Sequence, residues 1–339
     1  MQYQRPLETA GFEVDYASLF DTAYLEGVYQ GQRSGVASAR AYARRLRHLI
    51  DARRYDAIWL EKEALPWVPW AVERLLLPKT TPIIADYDDA IFHRYDQHRS
   101  GVVRFALKRK IDNVMRKATL VTAGNPYLAE RAQRAGAPWT EIVPTVVDVD
   151  AYTVERQTHL GAMLCVGWIG TPQTWDALAH SVYATLLPEL TMKGALFRAV
   201  GAALVPRAQD RLEIIPWSEV NEVRLIQGMD IGVMPMPDTP WTRGKCGYKL
   251  IQYMACGLPV VAAPVGVNTE IVEHGVNGFL AETEEEWRAA IGRLLEDDAL
   301  RKRMGAAGRK AVETGYSLQV WGPRVAELLA SVAREKSCV

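Results

Sequence analysis

The chain has 339 residues, of which 49% are hydrophobic, and its 40 Lys and Arg residues balance its 40 Asp and Glu residues. This length suits two domains of ordinary size, and the balanced charge argues against a nucleic-acid-binding protein. The four cysteines form no Cys-x-x-Cys pattern, which indicates reduced thiols, and no apolar run is long enough to span a bilayer. These features predict a cytoplasmic protein.

The first 150 residues alternate between predicted strands and helices. We expect strands at 12–18, 57–60, 82–85, 120–123 and 141–144, and helices at 1–10, 40–50, 66–77, 102–117 and 126–135. This alternation is typical of a parallel sheet covered by helices. A Rossmann-like half normally opens on a strand, whereas this one opens on a helix. We therefore expect that its first strand is missing and that the natural chain starts upstream of Met1.

A polar connection at 145–158 separates a second series of elements from the first. We expect strands at 163–167, 196–200, 212–215, 231–234 and 260–261, and helices at 176–187, 219–229, 248–255, 284–295, 300–313 and 317–334. The sequence thus predicts an N-terminal Rossmann-like domain at 1–150, a second one at 151–316, and a closing helix at 317–339.

The stretch 230–268 reads as strand, loop, helix and strand. Its loop carries Arg243, Gly244 and Lys245, and Lys249 lies in the first turn of the helix. Open α/β sheets bind ligands at the carboxyl ends of their strands, and helix N-termini attract anions. We interpret the loop as a cradle for a diphosphate, whose developing charge Lys245 and Lys249 would stabilise. The alternative is that both are solvated surface lysines.

The same stretch carries a family resemblance. The run Leu250-Ile-Gln-Tyr-Met-Ala-Cys-Gly-Leu-Pro-Val-Val261, followed by Gly266-Val-Asn-Thr-Glu270, resembles the nucleotide-sugar-binding region of GT-B glycosyltransferases of group 1, the retaining Glu-x7-Glu kind. The resemblance extends from about residue 160 to the end. It implies two Rossmann-like domains facing each other across a cleft, with the donor bound mainly to the second domain and the acceptor against the first. It also implies a reaction without metal or cofactor, in which a nucleoside-diphosphate-sugar is the co-substrate.

Two positions depart from the family pattern. The acids of that pattern fall at Gln252 and, eight residues earlier, at Gly244. The Gln252 amide can still bond a ribose diol, and Gly244 allows the backbone to approach a phosphate. We expect Lys245 and Lys249 to supply charge instead, which leaves the retaining outcome open.

Further donor-binding candidates follow the ends of predicted strands in the second half. They are Gly170, Thr171, Trp217, Arg243, Gly266, Val267, Asn268 and Glu270. The first two suit a tight turn near a phosphate, and Trp217 would line the base pocket. The turn 266–268 would offer amides to the diphosphate, and Glu270 would bond sugar hydroxyls. The alternatives are a plain turn, a ring that covers the core, and an acid favoured by the helix dipole.

In the first half, Asp86, Asp88, Asp89 and His93 follow a predicted strand. Asp88 or Asp89 would bind acceptor hydroxyls, and His93 would aid proton transfer. Three acids would also suit Mg²⁺, but the resemblance implies a metal-independent enzyme. Capping acids and a surface histidine are the alternatives.

These observations favour a glycosyltransferase of polysaccharide biosynthesis that moves a sugar to a glycan or a lipid-linked acceptor. A nucleotide-sugar epimerase of the same fold is an alternative, as is a non-catalytic binding protein, which the missing acids favour. Two predicted helices are strongly basic, with Arg40, Arg44, Arg45 and Arg47 in one and Lys108, Arg109, Lys110, Arg116 and Lys117 in the other. They form either a solvated face or a peripheral contact with anionic lipids at the inner face of the membrane.

Overall fold

The computed structural model describes residues 2–21, 24, 35–154, 163–181, 186–202 and 210–336. The chain divides into two compact units, the first containing Tyr3–Val143 with Gly322–Val339 and the second containing Pro144–Trp321. Each unit is built on its own parallel sheet, so the predicted alternation of strands and helices is confirmed. Among the described residues, no helix is both long and apolar enough to cross a membrane.

The first unit is a parallel sheet of described strands in the order β1-β2-β3-β4. The strands are β1 (Ile58–Glu61), β2 (Ile83–Tyr87), β3 (Leu120–Ala123) and β4 (Thr140–Ile142). The helices are α1 (Gln4–Thr9), α2 (Gly35–Asp51), α3 (Trp70–Leu76), α4 (His93–Asp96), α5 (Gly101–Leu107), α6 (Lys110–Lys117) and α7 (Pro126–Ala135). The central strands β2 and β3 are the most buried of the four, as expected for the inner strands of a parallel sheet.

Two predictions for the first unit are wrong. The expected strand at 12–18 pairs with no described strand, and the Phe12 N–H donates to the carbonyl of Leu7 at 3.0 Å instead. The expected helix at 102–117 is broken between α5 and α6. The break lets α6 turn Lys110 and Ile111 into the core, whereas Phe105 on α5 stays 88% exposed.

Lys110 enters the core because two carboxylates receive it there. Its Nζ lies 2.6 Å from Glu63 Oε2 and 3.0 Å from Glu73 Oε2, and it also bonds the carbonyl of Leu65. The Tyr95 hydroxyl donates to Glu63 at 2.8 Å. Lys110 therefore belongs to the interior and not to the basic surface that the sequence predicted, since a buried charge needs such partners.

The second unit is a parallel sheet in the order β10-β9-β8-β5-β6-β7 over its described strands. They are β5 (Cys165–Ile169), β6 (Leu196–Val200), β7 (Leu212–Ile215), β8 (Ile231–Met234), β9 (Val260–Ala262) and β10 (Gly278–Leu280). The chain winds outward from β5 to β7 and then returns to place β8 on the other side of β5. The carboxyl end of β5 is therefore the topological switch point, where such sheets bind ligands.

Helices cover both faces of this second sheet. They are α8 (Pro172–Ser181), α9 (Leu187–Met192), α10 (Glu222–Gln227), α11 (Pro240–Arg243), α12 (Tyr248–Ala255), α13 (Asn268–Ile271), α14 (Glu284–Glu296), α15 (Asp298–Gly315) and α16 (Leu318–Lys336). The last helix belongs to the second unit up to Trp321 and to the first unit beyond it, where Val332 packs on Ile84 and Leu120. Residues 182–185, within a predicted helix, lie outside the described part.

Helix α12 is fixed tightly against the sheet, and this sets the position of its first turn. Gly232 of β8 has no room for a side chain, because a Cβ there would lie 2.4 Å from the ring of Tyr253. The Tyr253 hydroxyl accepts a hydrogen bond of 3.0 Å from the backbone N–H of Ile169, the last residue of β5. The helix thus carries its N-terminal turn to the carboxyl end of β5.

Candidate functional site

Lys249, in the first turn of α12, lies at the switch point. Its Nζ is 4.7 Å from the centroid of the buried Trp168 ring, and a Cβ on Gly170 would lie only 2.9 Å from the same atom. Burial, with a smaller contribution from the nearby Lys245, lowers the pKa of Lys249 to about 8. Lys249 forms no ion pair with any residue that the structure describes. A partly buried amine without a counter-ion among the described residues is typical of a binding site for an anion.

The loop before α12 has a fixed backbone. Gly247 has φ +68° and begins the helix, and a Cβ there would lie 2.3 Å from Ile271 Cδ1. Gly244 is buried at the end of α11. Arg243, a weaker candidate, makes a bidentate pair with Asp238 at 2.6 and 2.8 Å. The loop therefore presents Lys245, half-buried, close enough to Lys249 to perturb its charge.

The turn 266–268 packs against this loop, since a Cβ on Gly266 would lie 2.8 Å from the carbonyl oxygen of Arg243. Asn268 is fully buried, and its amide nitrogen donates to the carbonyl of Ala263 at 3.0 Å. The Asn268 backbone N–H donates to Val265, so it is not available to a diphosphate as the sequence predicted. Contact with a diphosphate stays a prediction for the amides of Gly266 and Val267, and contact with sugar hydroxyls stays a prediction for the exposed Glu270.

The carboxyl ends of β5, β6 and β7 meet at one edge of the sheet. A Cβ on Gly201, after β6, would lie 2.2 Å from the carbonyl oxygen of Gly170 and 3.2 Å from Trp217 Cβ. Trp217 is therefore on the same edge as Lys249, and its side chain is half-exposed. Thr171 is exposed and caps α8 through Thr174, whose hydroxyl accepts from the Thr171 N–H at 3.0 Å.

Gln252 lies in a hydrogen-bonded cluster that sequence reasoning did not foresee. Its amide nitrogen donates to Glu222 Oε1 at 2.6 Å and to the Tyr152 hydroxyl at 2.9 Å. Trp217 Nε1 donates to the other carboxylate oxygen of Glu222 at 2.7 Å. Tyr152 and Glu222 were missed because they lie 100 and 30 residues from Gln252. The available signal was an acid in the first turn of a helix that follows a strand end.

The predicted residues of the first unit lie around the carboxyl end of β2. Asp88 is exposed and pairs with Lys62 at 2.9 Å, and Asp89 is half-buried. Both ring nitrogens of His93 are engaged, Nδ1 with Asp96 and Nε2 with the Tyr127 hydroxyl, each at 2.8 Å. The alternative of a surface histidine is therefore wrong.

Asp86, one residue from the end of β2, accepts a bond of 2.6 Å from the Thr122 hydroxyl. Burial raises the pKa of Asp86 to about 6, although this hydrogen bond works in the opposite direction. The side chain is thus held by the neighbouring strand, which is a structural role that its position at a strand end did not reveal.

Comparisons with known proteins agree with this geometry. Residues 162–297 match the family described as glycosyl transferases group 1. Spore coat protein SA of Bacillus subtilis is 35% identical over 82 residues, which cover 23% of this chain and 21% of that protein. D-inositol 3-phosphate glycosyltransferase of Thermobispora bispora is 28% identical over 170 residues, which cover 49% of this chain and 35% of that protein. The matched regions thus span about a third or less of these relatives.

Solved structures share the fold over most of the chain. Anabaena HepE, in complex with UDP and glucose, has a TM-score of 0.66 at 20% identity and covers 85% of this chain and 81% of its own. Sucrose-phosphate synthase from Thermosynechococcus elongatus has a TM-score of 0.66 at 16% identity and covers 86% of this chain and 78% of its own. Residues 162–297 are thus similar in sequence to group 1 glycosyltransferases, and the chain shares the GT-B fold of these solved structures.

Proposed function

We propose that the chain moves a sugar from a nucleoside-diphosphate-sugar donor to a hydroxyl group of an acceptor. The observation that carries this proposal is the ammonium group of Lys249, which is held at the switch point without an ion pair among the described residues. Lys245 adds a second positive charge, so the site fits an anion of more than one charge, such as a diphosphate. The similarity to HepE, solved with UDP and glucose, supports the same class of donor.

In the proposed reaction the bond between the anomeric carbon and the diphosphate oxygen breaks. The acceptor oxygen bonds to that carbon and loses its proton. Lys245 and Lys249 stabilise the negative charge that accumulates on the leaving diphosphate. We propose retention at the anomeric carbon, which the family resemblance implies, and NMR of the anomeric proton of the product tests it.

Asp88, Asp89 and His93 are the proposed acceptor-side groups of the first unit. His93 can take the acceptor proton only if it gives up its bond to Asp96 or to Tyr127, because both ring nitrogens are engaged. Asp88 can bond an acceptor hydroxyl while it keeps Lys62, since a carboxylate accepts several hydrogen bonds.

The function is tested by calorimetric titration with UDP, GDP, ADP and TDP, followed by incubation with the matching sugar nucleotides. We expect at least one diphosphate to bind, and we expect its release from the sugar nucleotide to require an acceptor. Conversion of the donor to an epimer without any acceptor would favour an epimerase. Binding without turnover would indicate a non-catalytic protein, and no binding of any diphosphate would overturn the proposal.

We also propose that the acceptor is a glycan or a lipid-linked glycan and that the first unit contacts the inner face of the membrane. On α5, Phe105 is 88% and Val102 is 77% exposed, and the cations Arg104 and Lys108 lie near them in the sequence. Apolar side chains among cations bind anionic bilayers. Co-sedimentation with phosphatidylglycerol vesicles tests this contact, and we expect Phe105→Ser to reduce it. Equal binding to purely phosphatidylcholine vesicles would contradict it.

A further inference from the structure

The carboxylate of Glu222 lies at the centre of a cluster in the second unit that the proposed reaction does not use. Its Oε1 accepts from the Tyr152 hydroxyl at 2.7 Å and from Gln252 at 2.6 Å, and its Oε2 accepts from the Trp217 indole at 2.7 Å. Gln252 is 2% exposed, whereas Trp217 is 50% exposed. The cluster therefore connects the interior of the unit to a half-exposed aromatic ring.

The bonds within the cluster define what Gln252 can offer a ligand. A glutamine amide has two N–H donors, and here they point at Glu222 and at the hydroxyl of Tyr152. The side chain is left with its carbonyl oxygen, which only accepts hydrogen bonds, as a carboxylate does. Because Glu222 can only accept, it forces the nitrogen end of the amide toward itself and fixes this orientation.

The cluster lies beside the proposed diphosphate site. Gln252 is one helical turn beyond Lys249 on α12, which is about 5 Å along the helix axis. Trp217 is connected to the same site by backbone contacts, since the Cβ position of Gly201 touches both Trp217 and Gly170, and Gly170 borders Lys249. A donor whose diphosphate is bound by Lys249 would have its ribose within reach of Gln252 and its base within reach of Trp217.

We propose that Glu222 is a positioning residue for the nucleoside end of the donor. It directs the carbonyl oxygen of Gln252 toward the ribose hydroxyls, which are donors, and it fixes the Trp217 ring as a stacking surface for the base. This inference rests on the proposed function and extends it to the recognition of the nucleoside.

The proposal has a specific consequence for charge. A carboxylate at position 252 would lie about as close to Glu222 as the present amide does, and two like charges at that distance oppose each other strongly. The side chains at positions 222 and 252 therefore carry one negative charge between them. If positioning is its role, the charge can be moved from position 222 to position 252, provided that an amide takes its place.

The test compares Glu222→Gln, Gln252→Glu and the double variant with the wild type. Each protein is titrated with inorganic pyrophosphate and with whichever of UDP, GDP, ADP and TDP binds the wild type best. We expect each single variant to lose about tenfold or more in nucleotide affinity, the scale for disrupting one charge-assisted hydrogen bond. The double variant should recover to within about threefold of the wild type, because the two changes are coupled. Pyrophosphate affinity should change less than nucleotide affinity in both single variants, because pyrophosphate has no nucleoside and senses only the altered charge nearby.

Pyrophosphate is the control for folding, since it reports an intact diphosphate site without a nucleoside. Equal nucleotide affinity in the wild type and both single variants would overturn the inference and leave the proposed function standing. A double variant as weak as the weaker single variant would also overturn it, and so would losses that affect pyrophosphate equally. A wild type that binds neither nucleotide nor pyrophosphate would overturn the proposed function instead.

Discussion

Replacement of Lys249 by methionine should stabilise the protein and weaken donor binding at the same time. The pKa of Lys249 is lowered from 10.5 to about 8, chiefly by burial. The charged form is therefore less favourable in the folded chain than in the unfolded chain. This penalty is fully present below pH 8, and it disappears as the pH rises toward 10.5. At about 1.4 kcal/mol per pKa unit it reaches roughly 3 kcal/mol at pH 7.

Methionine fills a similar volume without the charge. Loss of the contact with the Trp168 ring offsets about 0.5–1 kcal/mol of the gain. A net gain of about 2–2.5 kcal/mol should raise the melting temperature by roughly 4–10 °C for a unit of this size. Removing one charge-assisted bond to the diphosphate should weaken binding by about 1–3 kcal/mol, or roughly 5- to 150-fold.

The assays are differential scanning calorimetry without ligand and isothermal titration with pyrophosphate, both at pH 7. Lys310→Met is a matched control, because Lys310 is exposed on α15, and neither quantity should change there. A solvated surface lysine at position 249 would also leave both quantities unchanged. Wild-type pyrophosphate affinity in Lys249→Met would refute the diphosphate site, and an unchanged or lower melting temperature would refute the buried charge.

Three other predictions follow from the same contacts. Nucleotide affinity should fall as the pH rises above about 8, by up to tenfold per pH unit, because a bound diphosphate favours the charged form of Lys249. Titrations of the wild type and Lys249→Met from pH 7 to 9.5 would show whether this fall depends on Lys249. Lys110→Met should destabilise the first unit by about 3–5 kcal/mol in urea, since it removes the nearest cation from the buried carboxylates of Glu63 and Glu73, whereas the exposed Lys108→Met should change little. Gly247→Ala should lower the free energy of unfolding by at least about 1–2 kcal/mol, because the residue has φ +68° and lies against Ile271. Gly315→Ala is the control, since a Cβ there meets open space. Equal unfolding midpoints of the two variants would contradict this prediction.

The sequence predicted best where a short, continuous apolar run lies between polar segments. The strands Leu120–Ala123 and Ile231–Met234 have the expected bounds, because burial on both faces of a parallel sheet requires every residue to be apolar or small. The segment 12–18 has the alternating pattern of a strand, but a pattern does not supply a partner strand. Periodicity therefore identifies a residue's environment more reliably than it identifies pairing.

The residues of the candidate site also differ in how well the sequence could predict their arrangement. The strand, the loop and the helix that carry Lys245 and Lys249 are local in sequence, so their arrangement could be predicted. The bonds among Tyr152, Glu222 and Gln252 join three separate segments, and no local pattern shows that these segments meet. The engagement of His93 by Tyr127 was hidden for the same reason, since 34 residues separate the two.

Lys110 and Lys249 show how the surroundings of a charge distinguish a structural lysine from a functional one. The ammonium groups of both lysines lose part of their hydration when the chain folds, and other interactions must compensate for that loss. Around Lys110 the fold supplies Glu63, Glu73 and a backbone carbonyl, so its charge is satisfied without a ligand. Around Lys249 the described residues supply an aromatic face and a second lysine, and none of them forms an ion pair with Lys249. An external anion would compensate that charge, and for this reason we propose Lys249 rather than Lys110 as a contact of the substrate.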